Sequence, residues 1–399
     1  MNDEEYAALM LRPLAGEPIG PPGIDVPKAM RDGRRLRGRR WWTGSLVIVL
    51  VSGLITGGVL LAPGRHETPP PNLPPEPAVP AACTPAKLPI GNHKGAAVDG
   101  GDSTGRWLIG SADALTPQRS TLVWHDAELV TDLLAAGNVS DINSSGIGIG
   151  SALVQGRGGA FVVQDGRIRP LPGGAGTGVA INDAGVIAGT LGQGDKERPA
   201  RWRTPDSPPE VLDAVGRARV VDIAPDGTIA IIVFGPFTVA PAQVEGGPQP
   251  VLRESSYTAL WTPDGKVQAV TRPDGVDFQA IGFAYGWLYG GSGFPALLGP
   301  EAQQRYHPAT GTWQEMAAPP RVAQIVGPGR FGKFLASTPA IYVGKAVLNL
   351  PPDLDAVRKG SGDFEVESAS DDAHVVAGTG VGVNSDPTKP FQPVIWRCR

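Results

Sequence analysis

The chain has few of the residues that build redox or metal sites. In 399 residues it contains two cysteines, Cys83 and Cys398, and five histidines scattered without the spacing of metal ligands. Without a CxxC pair, a thiol redox site is not expected. We also find no G-x-S-x-G motif, which serine hydrolases carry on a sharp turn. From the sequence we therefore assign no catalytic residue, no metal and no cofactor.

The chain also has no excess of positive charge. The formal net charge is −4, so the chain as a whole lacks the basic surface of a nucleic-acid-binding protein. No nucleic-acid partner is expected. Seven of the basic residues lie close together between Lys28 and Arg40.

An uncharged apolar run of 20 residues, Thr43–Ala62, follows this basic cluster. A helix needs about 20 apolar residues to cross a bilayer, and Trp41 and Trp42 suit its interface. The preceding arginines favour a cytoplasmic N terminus. We therefore expect a cytoplasmic tail at 1–41 and a transmembrane helix at 42–62, in a single-pass protein of the cell membrane. A cleaved signal peptide is the alternative, but 40 residues before its apolar core would be unusually long.

The residues after the apolar run predict a stalk and one large domain outside the cytoplasm. Residues 63–82 are rich in proline and favour extended polyproline II structure. Residues 83–399 are long enough for a single large domain. Within the span, Gly53 and Gly57 form a small-xxx-small pair that would support dimerisation, although glycine is common in such helices.

The extracytoplasmic part lacks long stretches of helical periodicity. It has short apolar runs separated by Gly, Pro, Asn and Asp, which is typical of many short strands. Its clearest unit, Gly178–Asp213, reads as strand, tight turn, strand, variable loop, aromatic strand, turn and strand. Similar units recur along the chain, and Trp124, Trp202, Trp261 and Trp396 occupy one position in them. We expect these tryptophans to pack between units.

The repeated turn defines the number of units. We place it at Gly105, Gly146, Gly185, Gly227, Gly286, Gly329 and Ala373, with spacings of 41, 39, 42, 59, 43 and 44 residues. Seven four-stranded units of about 40 residues predict an all-β, seven-bladed β-propeller. Six or eight blades, or a β-sandwich, are the alternatives.

The two cysteines predict how the ring closes. When the last copy is aligned with the second, Trp396 matches Val163 and the chain ends before a fourth strand. The stretch "CTPAKLPIG", which begins at Cys83, continues the same alignment. We therefore expect the start of the domain to supply the missing strand, with a Cys83–Cys398 disulfide where other blades have a turn. Two free thiols are the alternative.

The repeat resembles the HAF family of probable extracellular repeats. The resemblance rests on "AINDAGVIAG", "DINSSGIGIG" and "AFVVQDG". It implies an extracellular repeat domain, and the N-terminal plan is similar to that of membrane-anchored proteins of high-G+C bacteria. The Leu-Gly-rich tail that is usual in this repeat is mostly absent.

Two further motifs fit a turn better than a ligand site. "GPGRFGKF" (Gly327–Phe334) approximates a phosphate-binding loop, but a strand rather than a helix follows it. "DINSSG" presents Asp141, Asn143 and Ser145 like the start of a calcium loop, but Ala152 stands where the final acid belongs. Such side chains more often cap their own backbone.

Loop length gives the best indication of a ligand face. The connection between the second and third strands varies and is longest at Val233–Tyr257. Variable loops on a rigid scaffold commonly bind ligands. We expect this face, which also carries 191–199 and 380–390, to bind through Phe234, Phe237, Arg253 and Tyr257.

The expected function is non-catalytic recognition of a protein or an envelope glycan by an extracytoplasmic sensor or binding domain. A propeller-fold polysaccharide hydrolase or lyase is the alternative, and a structural envelope protein is a third. A polar channel mouth with converging Asp, Glu and His would favour the enzyme. An apolar patch at the rim would favour a protein partner.

Overall fold

The computed structural model describes most of the chain after the stalk. The described residues are 77–113, 119–134, 137–154, 157–192, 194–213, 215, 217–240, 251–291, 303–316, 339–351, 363–381 and 391–399. The predicted tail, the transmembrane span with Gly53 and Gly57, and most of the stalk lie outside them. Within these ranges, no helix has the length and apolar character to cross a membrane.

The described part is built from 25 strands and one 3₁₀ turn, Gly194–Lys196. Strands β2 (Ala96–Gly101), β3 (Trp107–Ala112), β4 (Ser120–His125) and β5 (Glu128–Leu134) form the first sheet in chain order.

The next seven strands form one continuous sheet that contains two repeat units, and we call it the double sheet. They are β6 (Gly137–Ile142), β7 (Gly148–Val154), β8 (Arg157–Gln164), β9 (Arg167–Ile181), β10 (Ile187–Leu191), β11 (Arg198–Trp202) and β12 (Glu210–Val211). The long strand β9 joins two four-strand units, because its first part pairs with β8 and its second part with β10.

Two further sheets have four strands in chain order. One contains β13 (Ala218–Ile223), β14 (Ile229–Ala240), β15 (Val251–Trp261) and β16 (Val267–Ala269). The other contains β17 (Gln279–Ala284), β18 (Trp287–Gly291), β19 (Gln303–His307) and β20 (Thr312–Glu315). A described hairpin, β21 (Ala340–Val343) with β22 (Ala346–Asn349), follows them.

The last sheet joins both ends of the domain, and we call it the closing sheet. It contains β23 (Asp363–Ala369), β24 (Val375–Val381), β25 (Gln392–Cys398) and, as its outer strand, β1 (Cys83–Lys87). Cys83 lies opposite Cys398, and the two form a disulfide. The predicted closure by the N-terminal strand and the predicted disulfide are both confirmed.

The arrangement of the sheets is that of a β-propeller. Successive first strands contact one another, so that β2 lies between β23 and β6, and β13 lies between β9 and β17. The apolar clusters also span neighbouring sheets: Ala377 and Ile395 of the closing sheet pack with Leu108 and Trp124 of the first. Each blade thus buries its faces against its neighbours, as closure of a ring requires. The alternative of a β-sandwich, which has two stacked sheets, is therefore wrong.

The predicted turns are confirmed at six of their seven positions, and the seventh, Gly329, lies outside the described residues. Each of the six has a backbone φ in the left-handed region, which glycine adopts at little cost. The values are 70° for Gly105, 74° for Gly146, 80° for Gly185, 87° for Gly227, 77° for Gly286 and 57° for Ala373.

The four aligned tryptophans are buried, with at most 3% of their surface exposed. Three of them also fasten one blade to the end of the preceding one. The indole Nε1 donates a hydrogen bond from Trp124 to Pro89 O at 2.7 Å, from Trp202 to Pro172 O at 2.8 Å and from Trp396 to Pro351 O at 2.7 Å. The prediction that these residues pack between units is confirmed.

Candidate functional site

A cavity of about 490 Å³ opens at the end of the ring where first strands turn into second strands. Turns from the first sheet, the double sheet, the next two sheets and the closing sheet contribute to it. The lining residues used below are Asp102, Ser103, Asp141, Asn182, Asp183, Asp222, Ala224, Pro225, Asp226, Phe283, Tyr285, His307, Ala309 and Asp371.

A repeated turn forms the cavity wall, and its side chains accept hydrogen bonds from backbone N–H groups of the same turn. In the double sheet, Asn143 Oδ1 accepts hydrogen bonds from the N–H groups of Ser145 and Ile147. Asn182 Oδ1 accepts the N–H of Val186 in the same way. Short polar side chains commonly stabilise turns like this. Of the residues that resemble the start of a calcium loop, Asn143 therefore caps its own turn.

These turns are also tied to one another around the mouth. Asn143 Nδ2 donates to Asn182 O at 3.2 Å, and Asn182 Nδ2 donates to Ala224 O at 3.2 Å. In both cases the asparagine of one turn donates a hydrogen bond to a backbone carbonyl in the turn of the next unit. The repetition gives the mouth a fixed outline, because each bond involves backbone of a neighbouring blade.

Two buried aspartates hold neighbouring first strands together beneath the mouth. Asp141 Oδ2 accepts the N–H of Ile181 at 2.9 Å, and Asp222 Oδ2 accepts the N–H of Phe283 at 2.7 Å. Only 4% of Asp141 and 3% of Asp222 is exposed. Each of the two aspartates directly follows the β-bulge of its strand, so they occupy equivalent positions in their units. Their hydrogen bonds to backbone give them a structural role between blades.

Asp183 is held by hydrogen bonds at the rim. Ser103 Oγ donates to Asp183 Oδ2 at 2.5 Å, and the N–H of Ser144 donates to Asp183 Oδ1 at 2.9 Å. Partial burial raises the pKa of this carboxyl, but the hydrogen bonds from Ser103 and Ser144 outweigh it and bring the pKa below its ordinary value. Asp183 is therefore a stable carboxylate.

Asp371 has a different environment. Desolvation is the main cause that raises its pKa to about 6, and the negative charges of Asp183, Asp372 and Asp102 add to it. No described residue donates a hydrogen bond to this carboxyl. The residue as a whole is exposed to solvent. Asp371 and Asp183 thus have pKa values shifted in opposite directions within one cavity.

Tyr285 and His307 bring further polar groups to the cavity. The hydroxyl oxygen of Tyr285 is buried and has no hydrogen-bond partner. Its pKa is raised, first by desolvation and then by Tyr289, Asp371 and Asp372. Burial lowers the pKa of His307, and the charge of Arg305 adds to this. His307 is therefore a neutral imidazole at pH 7.

The four residues expected to bind a ligand lie elsewhere. Val233–Tyr257 is not the loop that its length and its Pro and Gly content suggested. It continues β14 and β15 as an extended hairpin at least as far as the pair formed by Ala240 and Val251, and 241–250 lie outside the described residues. Pairing between distant parts of the segment outweighs the local turn signals.

Of these four residues, Phe234 and Tyr257 are not among the described residues that line the cavity. Phe234 is half-buried under the guanidinium of Arg217, 4.8 Å from its ring centre. Tyr257 is 43% exposed, whereas Phe237 and Arg253 are described by backbone alone. They lie along β14 and β15 away from Ile229 and Trp261, the pair nearest the cavity.

Sequence reasoning therefore identified the turns but not the cavity that they form. Asp102, Asn182 and Asp183 lie beside turns that the sequence predicts, whereas no sequence pattern distinguishes Tyr285 or His307. The polar side chains that recur beside each turn glycine were the available signal. In the described ranges, no group of three or more His, Cys, Asp or Glu side chains is arranged to hold a metal ion.

No family model matches the chain, and no curated protein matches it. Several solved structures are similar at low identity. TolB from Acinetobacter baumannii has 8% identity and a TM-score of 0.37, and the match covers 77% of this chain and 66% of that one. Oligogalacturonate lyase from Vibrio parahaemolyticus has 12% identity and a TM-score of 0.46, with 81% and 98% covered.

A gluconolactonase from Xanthomonas campestris has 12% identity and a TM-score of 0.39, with 82% and 99% covered. The three proteins differ in function, and at these identities no activity is transferred from them to this chain.

Proposed function

We propose that this protein is a membrane-anchored recognition propeller that binds a protein or an envelope glycan without chemical change, and that the cavity at the turns is its binding site. The observation that carries the proposal is the set of hydrogen bonds that links turns of several units around a concave space lined by six aspartates. A site whose groups are already fixed loses little conformational entropy when a ligand binds.

The state of the carboxylates supports binding over catalysis. Asp141 and Asp222 are hydrogen-bonded to backbone N–H groups of the next first strand. Asp226 accepts hydrogen bonds from both the N–H and the hydroxyl of Thr228. Carboxylates in such bonds hold neighbouring strands and turns in place. They shape the cavity rather than transfer protons.

The same proposal includes seven blades. Four four-stranded sheets and a double sheet of two four-strand units account for six copies of the repeat. The hairpin β21–β22 is preceded by residues 317–338, whose sequence "QIVGPGRFG" carries the repeated turn. A seventh blade built from these two segments would fill the place between β20 and β23.

The proposal also places the propeller outside the cytoplasm, on the stalk and the helix predicted at 42–62. An uncharged run of 20 residues preceded by seven basic ones supports this orientation, and so does a disulfide between the domain ends. A repeat of the HAF type, as the motifs suggest, would agree with an extracellular position.

Capture by the full-length protein in nanodiscs tests the function. We would incubate it with an extract of its own cell envelope and compare wild type with Ala309→Trp, which fills the exposed edge of the cavity. Lys345→Trp adds the same side chain to an exposed turn outside the lining. Tyr257→Ala alters the face expected from loop length.

If the proposal is correct, one component is retained by wild type, Lys345→Trp and Tyr257→Ala, and its retention falls at least about tenfold with Ala309→Trp. Loss with Tyr257→Ala alone would move the site to the opposite face and contradict the proposal. Equal retention by all four proteins would contradict it too.

One observation favours a polysaccharide hydrolase as the second candidate. The mouth is polar, and the pKa of Asp371 is raised to about 6 while that of Asp183 is lowered. Glycosidases use one carboxylic acid and one carboxylate in this way. Release of reducing ends from envelope polysaccharide by wild type but not by Asp371→Asn would establish this candidate and overturn pure recognition.

A further inference from the structure

His307 has a ring nitrogen without a partner at the cavity. The residue lines the cavity from the end of β19, and only 9% of its surface is exposed. Its Nδ1 lies 3.1 Å from Thr310 Oγ1, and no described residue forms a hydrogen bond with its Nε2. The described side-chain nitrogens and oxygens that are enclosed without any hydrogen bond are Arg119 Nε and the hydroxyl oxygen of Tyr285. Since Nε2 of His307 is not one of these, it is accessible from the cavity.

The hydrogen bonds of Thr310 determine which nitrogen of His307 carries the proton. Thr310 Oγ1 donates to Thr312 Oγ1 at 2.8 Å and accepts the N–H of Thr312 at 3.3 Å. Its hydroxyl hydrogen is thus used, and its remaining lone pair accepts the N–H of His307 Nδ1. In the neutral imidazole, Nε2 therefore carries no hydrogen and is an acceptor. A ligand that donates a hydrogen bond would complete it.

A positive charge close to His307 favours a neutral donor. Arg305 and His307 are two residues apart in β19, so their side chains lie on the same face of the strand. Both pack against Trp287. The guanidinium carbon of Arg305 lies 4.2 Å from the centre of the indole ring, and the ring centres of His307 and Trp287 are 5.0 Å apart. The guanidinium would repel a cation at Nε2, whereas a hydroxyl group donates without this penalty.

The rest of the lining combines apolar surface with negative charge. Apolar side chains line the cavity at the ends of four first strands, namely Ile142, Ile181, Ile223 and Phe283. Five of the six lining aspartates accept hydrogen bonds from the chain itself. Their negative charge would nevertheless repel an anion. The cavity therefore suits a neutral group that has both hydroxyl donors and apolar C–H surface.

We propose that the cavity binds a neutral hexose unit of a glycan, one hydroxyl group of which donates a hydrogen bond to His307 Nε2. A sugar ring carries hydroxyl groups at its edge and C–H groups on its faces, so it matches a single acceptor among apolar side chains. A cavity of about 490 Å³ has the usual size of a small-ligand site. The inference rests on the function proposed above and names a glycan, rather than a protein, as the ligand.

Ligand-observed NMR on the full-length protein in nanodiscs at pH 7.5 tests the ligand class. The neutral probes are methyl glucoside and methyl galactoside. The corresponding methyl glucuronoside and methyl galacturonoside have a carboxylate in place of the primary alcohol, and the tripeptide Ala-Ser-Ala has a hydroxyl group without a sugar ring. We expect at least one neutral sugar to bind with about millimolar affinity. Its uronic acid should bind about tenfold more weakly because of the aspartates, and the tripeptide should not bind.

Two substitutions of His307 separate its acceptor from its packing. His307→Asn keeps an amide near the position of Nδ1 but does not reach that of Nε2, whereas the longer side chain of His307→Gln reaches it. His374→Asn is the matched control, because His374 is exposed and is not among the described lining residues. We expect His307→Asn to weaken binding of the neutral sugar about fivefold and His307→Gln at most about twofold. His374→Asn should leave binding unchanged.

The wild-type protein provides a readout that does not depend on the folding of a variant. A hydrogen bond to Nε2 shifts the ¹⁵N resonance of that nitrogen, which is identified by its loss in either variant of His307. Saturation with the neutral sugar should shift this resonance and leave the resonances of the other histidines in place.

Failure of both neutral sugars, equal binding of a neutral sugar and its uronic acid, or an unshifted Nε2 resonance would overturn the inference. Unchanged binding by His307→Asn, or equal losses with His307→Asn and His307→Gln, would overturn it as well. Binding of Ala-Ser-Ala alone would make a protein the ligand. The proposed function would survive these results if Ala309→Trp still abolished capture of an envelope component, so the two failures are distinguishable.

Discussion

Cys83 and Cys398 lie directly opposite each other in the antiparallel pair β1–β25, with their Cα atoms 4.0 Å apart and their sulfurs bonded. Their sequence separation is 315 residues. Beside them, Ala82 and Arg399 exchange backbone contacts, since Arg399 N donates to Ala82 O at 2.9 Å and Ala82 N donates to Arg399 O at 3.2 Å. One outer strand and one covalent bond thus close the ring at the same place.

The first prediction concerns this bond. A Cys83→Ser/Cys398→Ser variant should be less stable by up to about 5 kcal/mol, because the bridge restricts a very long loop in the unfolded chain. Thermal unfolding with and without reductant measures the loss. Reductant should lower the melting temperature of wild type to that of the variant and leave the variant unchanged. A wild type insensitive to reductant under unfolding conditions would contradict the expectation.

Part of this architecture could be predicted because the responsible signals are local. Glycine at a left-handed position marks five of the six described turns, from Gly105 to Gly286, so these positions can be predicted from the sequence alone. Ala373 takes the place of the glycine in the sixth. The alignment of the last copy with "VVQDGRIRPLP" likewise revealed the missing outer strand, since each blade repeats one strand order.

The cavity could not be predicted because its residues converge only when the ring closes. Ser103 and Asp183 are hydrogen-bonded across 80 positions of sequence, and no local pattern encodes that contact. The extended hairpin of β14 and β15 was missed for a related reason. Cross-strand pairing, for example of Val239 with Leu252, decides its structure, whereas prolines and glycines between the strands suggested a loop.

A second prediction concerns the tryptophan hydrogen bonds between blades. Trp202→Phe should lower the free energy of unfolding by about 2 kcal/mol, because the carbonyl of Pro172 loses its donor and the smaller ring leaves a void. Trp124→Phe and Trp396→Phe should have similar effects, since their bonds to Pro89 and Pro351 have the same geometry. Denaturant titration measures all three. A loss confined to one variant would contradict an equivalent role.

A third prediction concerns His93, which links the segment after β1 to the first blade. Its Nδ1 lies 2.9 Å from Asp113 Oδ2, and its Nε2 lies 3.0 Å from Asp132 Oδ2. Partial burial opposes protonation, but the two hydrogen bonds outweigh it and raise the pKa of His93. Only an imidazolium donates from both nitrogens.

The stabilisation by His93 should therefore be complete below about pH 6.5 and be lost as the pH rises through the raised pKa. His93→Gln should lower the free energy of unfolding by roughly 1 kcal/mol at pH 5.5 and by much less at pH 8.5. Thermal unfolding over this range provides the comparison. An equal loss at both pH values would indicate packing rather than charge.

A fourth prediction concerns Asp371 in the protein without ligand. Because its pKa is raised to about 6, the protonated form is favoured by folding, and this contribution is lost as the pH rises through 6. Asp371→Asn, which resembles the protonated acid, should melt about 2 °C above wild type at pH 7.5 and at the same temperature at about pH 3.5, below the pKa of the unfolded chain. A variant less stable than wild type at pH 7.5 would refute the unfavourable charge.

Site-specific photo-crosslinking in intact cells shows whether a partner binds at the cavity. A photo-reactive phenylalanine analogue is placed at Ala309, at the edge of the cavity, or at Tyr257, on the opposite end of the sheets. We predict a discrete crosslinked product from position 309 and none from position 257. A product from position 257 alone would show that the partner binds the other face and would contradict the account.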